Sequence, residues 1–157
     1  GRDPEKAAAL AQTFTAQGLS AEPAGNLADA VAWADVISTA TLSKTPILQG
    51  AWLRPGQHID LVGAFRPDMR EADDAVLGRA RIFCDTRAGA MKEAGDLCDP
   101  LARGIITEAD MEADLFDLAE GRVTMQRGAD DITLFKSAGT AIEDLAAAML
   151  AYRRVDA

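Results

Sequence analysis

Small hydroxyl-bearing residues and glycines recur in this sequence directly behind short apolar runs, a pattern that suits the close approach of a ligand. Val36 and Ile37 run into Ser38, Thr39, Ala40 and Thr41, four small side chains in a row. Ile59, Leu61 and Val62 give way in the same manner to Gly63 and Ala64. Short apolar runs bounded by turn residues read as buried parallel strands. In an open α/β sheet the ligand sits just beyond the carboxyl ends of such strands, where small residues let it reach the backbone. The two neighbouring strand ends therefore read as one wall of a cofactor crevice.

Groups able to move protons are sparse by comparison. His58, the one histidine, follows the Pro55-Gly56 turn and opens a strand, which makes it structural rather than catalytic. Lys136 reads as a solvated lysine rather than a proton donor. The acidic cluster from Glu93 to Asp99 reads as a solvated surface, and Cys84 as a small core hydrophobe. Cys84 and Cys98 offer neither a disulfide framework nor a zinc pattern, so no metal is expected and a reduced, cytoplasmic protein is the simplest reading.

Composition narrows the partners. A formal charge of −9 argues against nucleic acid, because phosphate binding needs clustered Lys and Arg. No run of 18 apolar residues exists, so no membrane span is expected. At 157 residues there is chain enough for one domain with a substantial core.

The elements that position these residues alternate along the chain. Asp3 caps a helix with Pro4 in its first position, ending at Gly18. Gly1 in place of methionine, and a first helix with no strand before it, set the expectation of a piece of a longer protein. Leu19 to Ala24 is a weak edge-strand candidate, Asn26 caps a second helix, and the strand at Asp35 follows. Pro46 to Leu53 reads as one or two helical turns and 58–64 as a strand. Arg70 to Arg79 reads as a helix, Arg81 to Cys84 as a strand, Thr86 to Gly95 as a helix, and Leu97 to Ile106 as a loop. A further helix is expected from Thr107 to Gly121, a last strand at Ile132 to Phe135, a turn at 136–139, and a long helix from Thr140 to Arg154. That helix is apolar on more than one face and expects a partner beyond its own sheet. The alternation indicates a doubly wound α/β domain with a mostly parallel sheet.

Four segments carry a resemblance. Ser-Thr-Ala-Thr-Leu-Ser-Lys-Thr-Pro-Ile-Leu (38–48), Pro-Gly-Gln-His-Ile-Asp-Leu-Val-Gly-Ala (55–64), Arg-Pro-Asp-Met-Arg-Glu (66–71) and Phe-Lys-Ser-Ala-Gly-Thr-Ala-Ile-Glu-Asp (135–144) resemble the ornithine cyclodeaminase and mu-crystallin family. The resemblance implies a Rossmann-like fold lacking its first strand, first helix and second strand. Residues 1–139 would form a partial NAD(P)-binding domain. Residues 140–157 would pack on an N-terminal substrate and dimerisation domain outside this sequence. It further implies a homodimer when full length, a small amino or imino acid substrate, and a nicotinamide cofactor.

Individual positions follow from the same resemblance. Arg2 stands where this fold reads the adenosine ribose, and a basic residue there accommodates a 2′-phosphate, favouring NADP(H) while leaving NAD(H) open. Thr39, Ala40 and Thr41 match the loop that contacts the dinucleotide, although alone they equally fit a strand end with satisfied hydroxyls. Val62, Gly63 and Ala64 match the segment beside the nicotinamide. Ser137 and Gly139 match a turn near the same ring, or else an ordinary turn with Thr140 as cap. Phe65 stands where ornithine cyclodeaminases carry an aspartate, and phenylalanine neither accepts nor donates a proton. No catalytic residue is therefore assigned within this sequence. The expected activity is NADPH-dependent reduction of a cyclic imine such as Δ1-pyrroline-2-carboxylate. The alternatives are conversion of ornithine to proline and ammonia, or NADPH binding without turnover. Because no GxGxxG phosphate loop is present, the isolated chain is expected to bind NADP(H) poorly and to be inactive.

Overall fold

The computed structural model describes residues 1–155. Five strands form one sheet: β1 (Val36–Thr39), β2 (His58–Leu61), β3 (Arg81–Cys84), β4 (Met111–Asp114) and β5 (Thr133–Lys136). Their order is β1-β2-β5-β3-β4, and every ladder is parallel. The helices are α1 (Pro4–Ala16), α2 (Leu27–Trp33), α3 (Asp74–Leu77), α4 (Arg87–Glu93), α5 (Gly95–Ala102), α6 (Leu115–Ala119) and α7 (Ala141–Val155). Parallel strands require crossover connections; helices supply those after β2, β3 and β4, while β1 and β2 are joined by a loop with a 3-10 turn at Gly50–Trp52.

The central strands are apolar because both faces are covered. Ile59, Leu61, Ile82 and Leu134 are buried and pack with Leu48, Val76, Leu97 and Met111 into one core. Burying each such side chain stabilises the fold by about 1.5–3 kcal/mol. Caps fix where the helices begin: Asp3 accepts from the Glu5 and Lys6 amides at α1, and Asn26 accepts from the Ala28 amide at α2. Thr86 does the same for α4 through the Gly89 amide.

Several local expectations are corrected. Leu19 to Ala24 forms no strand: among the described residues β1 pairs only with β2, and its outer edge stays unpaired. The helix expected over 70–79 shrinks to α3. Asp96 takes the Glu71 and Ala72 amides, and Ala72 bridges Leu48 in parallel, so 70–72 is held extended until Asp73 caps α3. The expected loop after Leu97 is helical as α5, continuous with the core through buried Leu97, and it accommodates Pro100. The helix expected from Thr107 to Gly121 is instead a short 3-10 turn, then β4, then α6. Met-Glu-Ala-Asp has little strand propensity. It pairs because its alternation puts Met111 and Ala113 on the core side, where β3 offers a free edge.

Candidate cofactor ledge at the strand ends

The parallel registers bring three predicted segments to one edge. Thr39 lies opposite Leu61, and Leu61 opposite Lys136, so β1, β2 and β5 end side by side. The backbone continues the ladder past the strands: the Val62 amide donates to the Thr39 carbonyl at 2.8 Å, and the Ser137 amide to the Leu61 carbonyl at 3.1 Å. Thr39, Thr41 and Ser137 are half-buried, while Ala40, Val62, Phe65 and Gly139 are exposed. Gly63 and Ala64 are buried, Ala64 with a φ of 49° and Gly139 with a φ of 83°. A non-glycine residue in the left-handed region is uncommon and persists where its surroundings enforce it.

Behind this ledge lies a layer of buried charge. Glu71 is fully buried and accepts from the Thr39 hydroxyl at 2.8 Å and from the Thr41 amide at 2.5 Å. A Cβ on Gly63 would collide with the Glu71 carboxylate and the Thr41 carbonyl, so glycine is what lets the two strand ends close on each other. Glu71 is held in turn by Asp96, whose Oδ1 accepts its amide at 2.8 Å and the Ala72 amide at 3.0 Å. Asp96 belongs to the acidic stretch expected to be solvated, yet it is fully buried. Burial pushes its carboxyl above the usual range, against the pull of those two amides.

Lys136 is a second correction. Expected to be solvated, it is fully buried, because β5 is the middle strand of the five. Its ammonium donates to the carbonyls of Leu61 at 2.9 Å, of Ser137 at 3.0 Å, and of Gly63. An ammonium has three donors, and three carbonyls take them, so Lys136 has none to offer a substrate. Burial lowers its pKa, and Asp96, Glu71 and Asp85 oppose that shift. Asp85, also buried, accepts from the amides of Ala138 at 2.7 Å and Gly139 at 2.6 Å.

The whole described chain agrees with the ornithine cyclodeaminase/mu-crystallin family model, which matches residues 1–157. The chain belongs to this family. It is 45% identical over 120 residues to the Delta(1)-pyrroline-2-carboxylate reductase of Paracoccus denitrificans, covering 76% of this chain and 38% of that protein. It is 43% identical over 124 residues to the ketimine reductase mu-crystallin of Mus musculus, covering 79% of this chain and 37% of the relative. Among solved structures it matches the Delta(1)-pyrroline-2-carboxylate reductase of Thermococcus litoralis, determined with NADH and L-proline, at a TM-score of 0.92 and 31% identity. That match covers 97% of this chain and 47% of the reductase. The chain thus spans less than half the length of the family relatives it matches.

The remaining residues singled out in the sequence take no part in the hydrogen bonds of the ledge. Arg2 is exposed, one residue ahead of the α1 cap. His58 lies at the opposite, amino end of β2, half-buried, its Nδ1 2.8 Å from the Thr133 hydroxyl. Burial and Arg127 lower its pKa despite Asp60. Cys84 is buried, and burial with Asp85 beside it pushes the thiol up to about 12, so it is no nucleophile. A broad groove of about 750 Å³ opens between α4, the end of α5 and the loop at 104–108, lined by Arg87, Met91, Lys92 and Ile106. No strand-end residue of the ledge reaches it, so size alone does not make it the family's cofactor site.

Sequence reasoning missed Glu71, Asp85, Asp96 and Lys136 as the supports of the site. One partial signal was present: Lys136 directly continues the run Thr-Leu-Phe of the last strand, and the structure adds that this strand has neighbours on both sides.

Proposed function

We propose that the full-length protein containing this chain reduces a cyclic imine carboxylate, such as Δ1-pyrroline-2-carboxylate, with a reduced nicotinamide cofactor held on the ledge. The observation that carries the reading is the convergence of three parallel strand ends on small, backbone-open positions, in a fold matching a reductase described with NADH and L-proline. The residues fit such a cofactor: Gly139 has open space where a Cβ would stand, and exposed Ala40 and Val62 lie on the same ledge as half-buried Ser137. When bound, the reduced nicotinamide supplies the hydride to the imine carbon. On this reading the Ser137 hydroxyl orients the carboxamide, while Thr39 and Thr41 line the path of the dinucleotide.

Phe65, 46% exposed at the rim beside Ala64, offers an apolar face and no proton. An imine that arrives protonated on nitrogen needs only hydride to become the amine, so the absence of an acid there suits reduction better than deamination and ring closure. Arg2 supports NADPH through its 2′-phosphate, although the Thermococcus relative was described with NADH. The exposed apolar residues of α7, among them Ile142, Leu145 and Tyr152, support packing against the rest of the protein and a homodimer. Two free cysteines support a reducing, cytoplasmic setting.

The test is a direct comparison on the full-length protein. Oxidation of NADPH by Δ1-pyrroline-2-carboxylate should exceed formation of proline and ammonia from ornithine. Robust proline formation without imine reduction would replace the reading with a cyclodeaminase, and saturable NADPH binding without turnover would replace it with a binding protein. Arg2→Ala should weaken NADPH by roughly ten- to a hundredfold, the loss of one charge-assisted phosphate contact, with NADH nearly unchanged. Equal losses for both cofactors would remove Arg2 from that role.

A further inference from the structure

We propose that Lys136 and Asp85 form a paired clamp on the Ser137–Gly139 turn and act as positioning residues for the reactive ring of the cofactor. The inference rests on the proposed reductase reading for what the turn holds, and on geometry alone for how the turn is held. Burying an ammonium costs several kcal/mol, and an apolar side chain of similar volume is often at least as stable in such a place. What a lysine adds is three N–H groups aimed at three acceptors. Here the acceptors lie on two strands: Leu61 and Gly63 at the end of β2, and Ser137 in the turn that leaves β5. Carbonyls that crowd together at the carboxyl ends of parallel strands repel one another, and the cation removes that repulsion.

The same turn is gripped from the other side. Asp85, immediately after β3, accepts the amides of Ala138 and Gly139 through one carboxylate oxygen and the Thr86 amide through the other. The turn therefore has its Ser137 carbonyl fixed by a cation from β5 and its next two amides fixed by an anion from β3. These bonds consume backbone groups and leave the Ser137 hydroxyl outside both sets. A group whose backbone is fixed from both sides is preorganised, and preorganised polar contacts are the ones that serve a transition state.

The clamp separates positioning from affinity, because cofactor affinity draws on phosphate contacts made elsewhere, whereas hydride transfer depends on ring placement. The experiment compares Lys136→Met and Asp85→Asn with the unaltered full-length protein by three readouts. These are amide hydrogen exchange at Ala138 and Gly139, NADPH affinity from nicotinamide fluorescence, and single-turnover imine reduction with 4-deuterated cofactor. Exchange at the two amides should accelerate by about tenfold or more while Leu134 and Phe135 stay protected. Reduction should fall roughly a hundredfold in Lys136→Met, the scale expected for a misplacement near 1 Å. NADPH affinity should stay within about threefold, less than a single good contact. Should Lys136→Met fail to fold, Asp85→Asn carries the same exchange and kinetic readouts. Unchanged exchange at the turn, or equal losses in affinity and hydride transfer, would overturn the clamp. If the unaltered protein reduces no cyclic imine, the reductase reading falls, and the exchange readout still decides whether the clamp exists.

Discussion

Charge is buried where the strand ends meet, and apolar surface is exposed along the outer helices, so the two regions invert the usual distribution in opposite senses. Glu71, Asp96 and Lys136 show no exposure, and Asp85 only 1%. On α7 no residue is buried, with Leu145 58% and Tyr152 71% exposed, and α1 buries only Ala11. Buried charge is tolerable only when paired and hydrogen-bonded. At the ledge this chain supplies most of those partners itself, from the ends of β1 and β2, the turn after β5 and the segment before α3, while Asp96 Oδ2 has none among the described residues. An amphipathic helix with an uncovered apolar face has no such internal solution and must be covered by something else. The hydrogen-bonded supports of the ledge thus lie within these residues, whereas α1 and α7 leave apolar side chains exposed.

The strongest way to break that contrast is to force the ledge apart from beneath. Gly95 donates its amide to the Ala64 carbonyl at 2.9 Å, and a Cβ there would collide with the carbonyls of Arg66 and Met69. Gly95→Ala should cost about 2–3 kcal/mol in urea unfolding, since backbone rather than a flexible side chain must yield. An unchanged midpoint would mean that the ledge is looser than its hydrogen bonds imply.

A smaller effect should appear in acid. Hydrogen bonds from Arg103, and then from Arg70, hold the Asp74 carboxyl at about 2, below its ordinary value. A depressed carboxylate contributes stability that is present above its unfolded pKa and is lost as pH falls through its folded one. Unfolding followed from about pH 4 down to about pH 2 should therefore show a loss that Asp74→Asn reduces. Asp96, raised by burial, works with the opposite sign: its contribution is present in acid and is lost as pH rises through its folded pKa. A steeper acid loss in Asp74→Asn than in the unaltered protein would remove Asp74 from this account.

The smallest effect is expected on the helix side, and it sharpens the comparison by being small. Leu145→Glu and Met149→Glu place charges at positions already 58% and 48% exposed. Each should change the stability of this chain alone by less than about 0.5 kcal/mol, the ordinary range for surface substitutions. In the full-length protein the same changes should weaken assembly, read by sedimentation. A large loss of stability in the isolated chain would show that α7 is already packed.

Much of the fold is readable from residue order because the strands that matter carry unbroken apolar runs between turn signals. β1, β2, β3 and β5 all fall where the strands expected from Asp35, over 58–64, from Arg81 to Cys84 and from Ile132 to Phe135 place them, although β2 already ends at Leu61. β4 escaped because Met-Glu-Ala-Asp resembles a helix locally and becomes a strand only when β3 offers hydrogen bonds on its free side. Leu19 to Ala24 failed in the converse way, since an alternating pattern yields a strand only beside another strand.

By itself the sequence determined the alternating α/β order, the small-residue strand ends, and the family through four motifs spread across the chain. Periodicity and turn chemistry are local properties, legible one window at a time. Only the tertiary structure decided that Lys136, Glu71 and Asp96 lie inside rather than in water. Whether a charged side chain is solvated depends on what the rest of the chain folds over it. Here that covering comes largely from strands and helices tens of residues away, whose carbonyls, amides and the Thr39 hydroxyl replace most of the water these charges give up, Asp96 Oδ2 excepted.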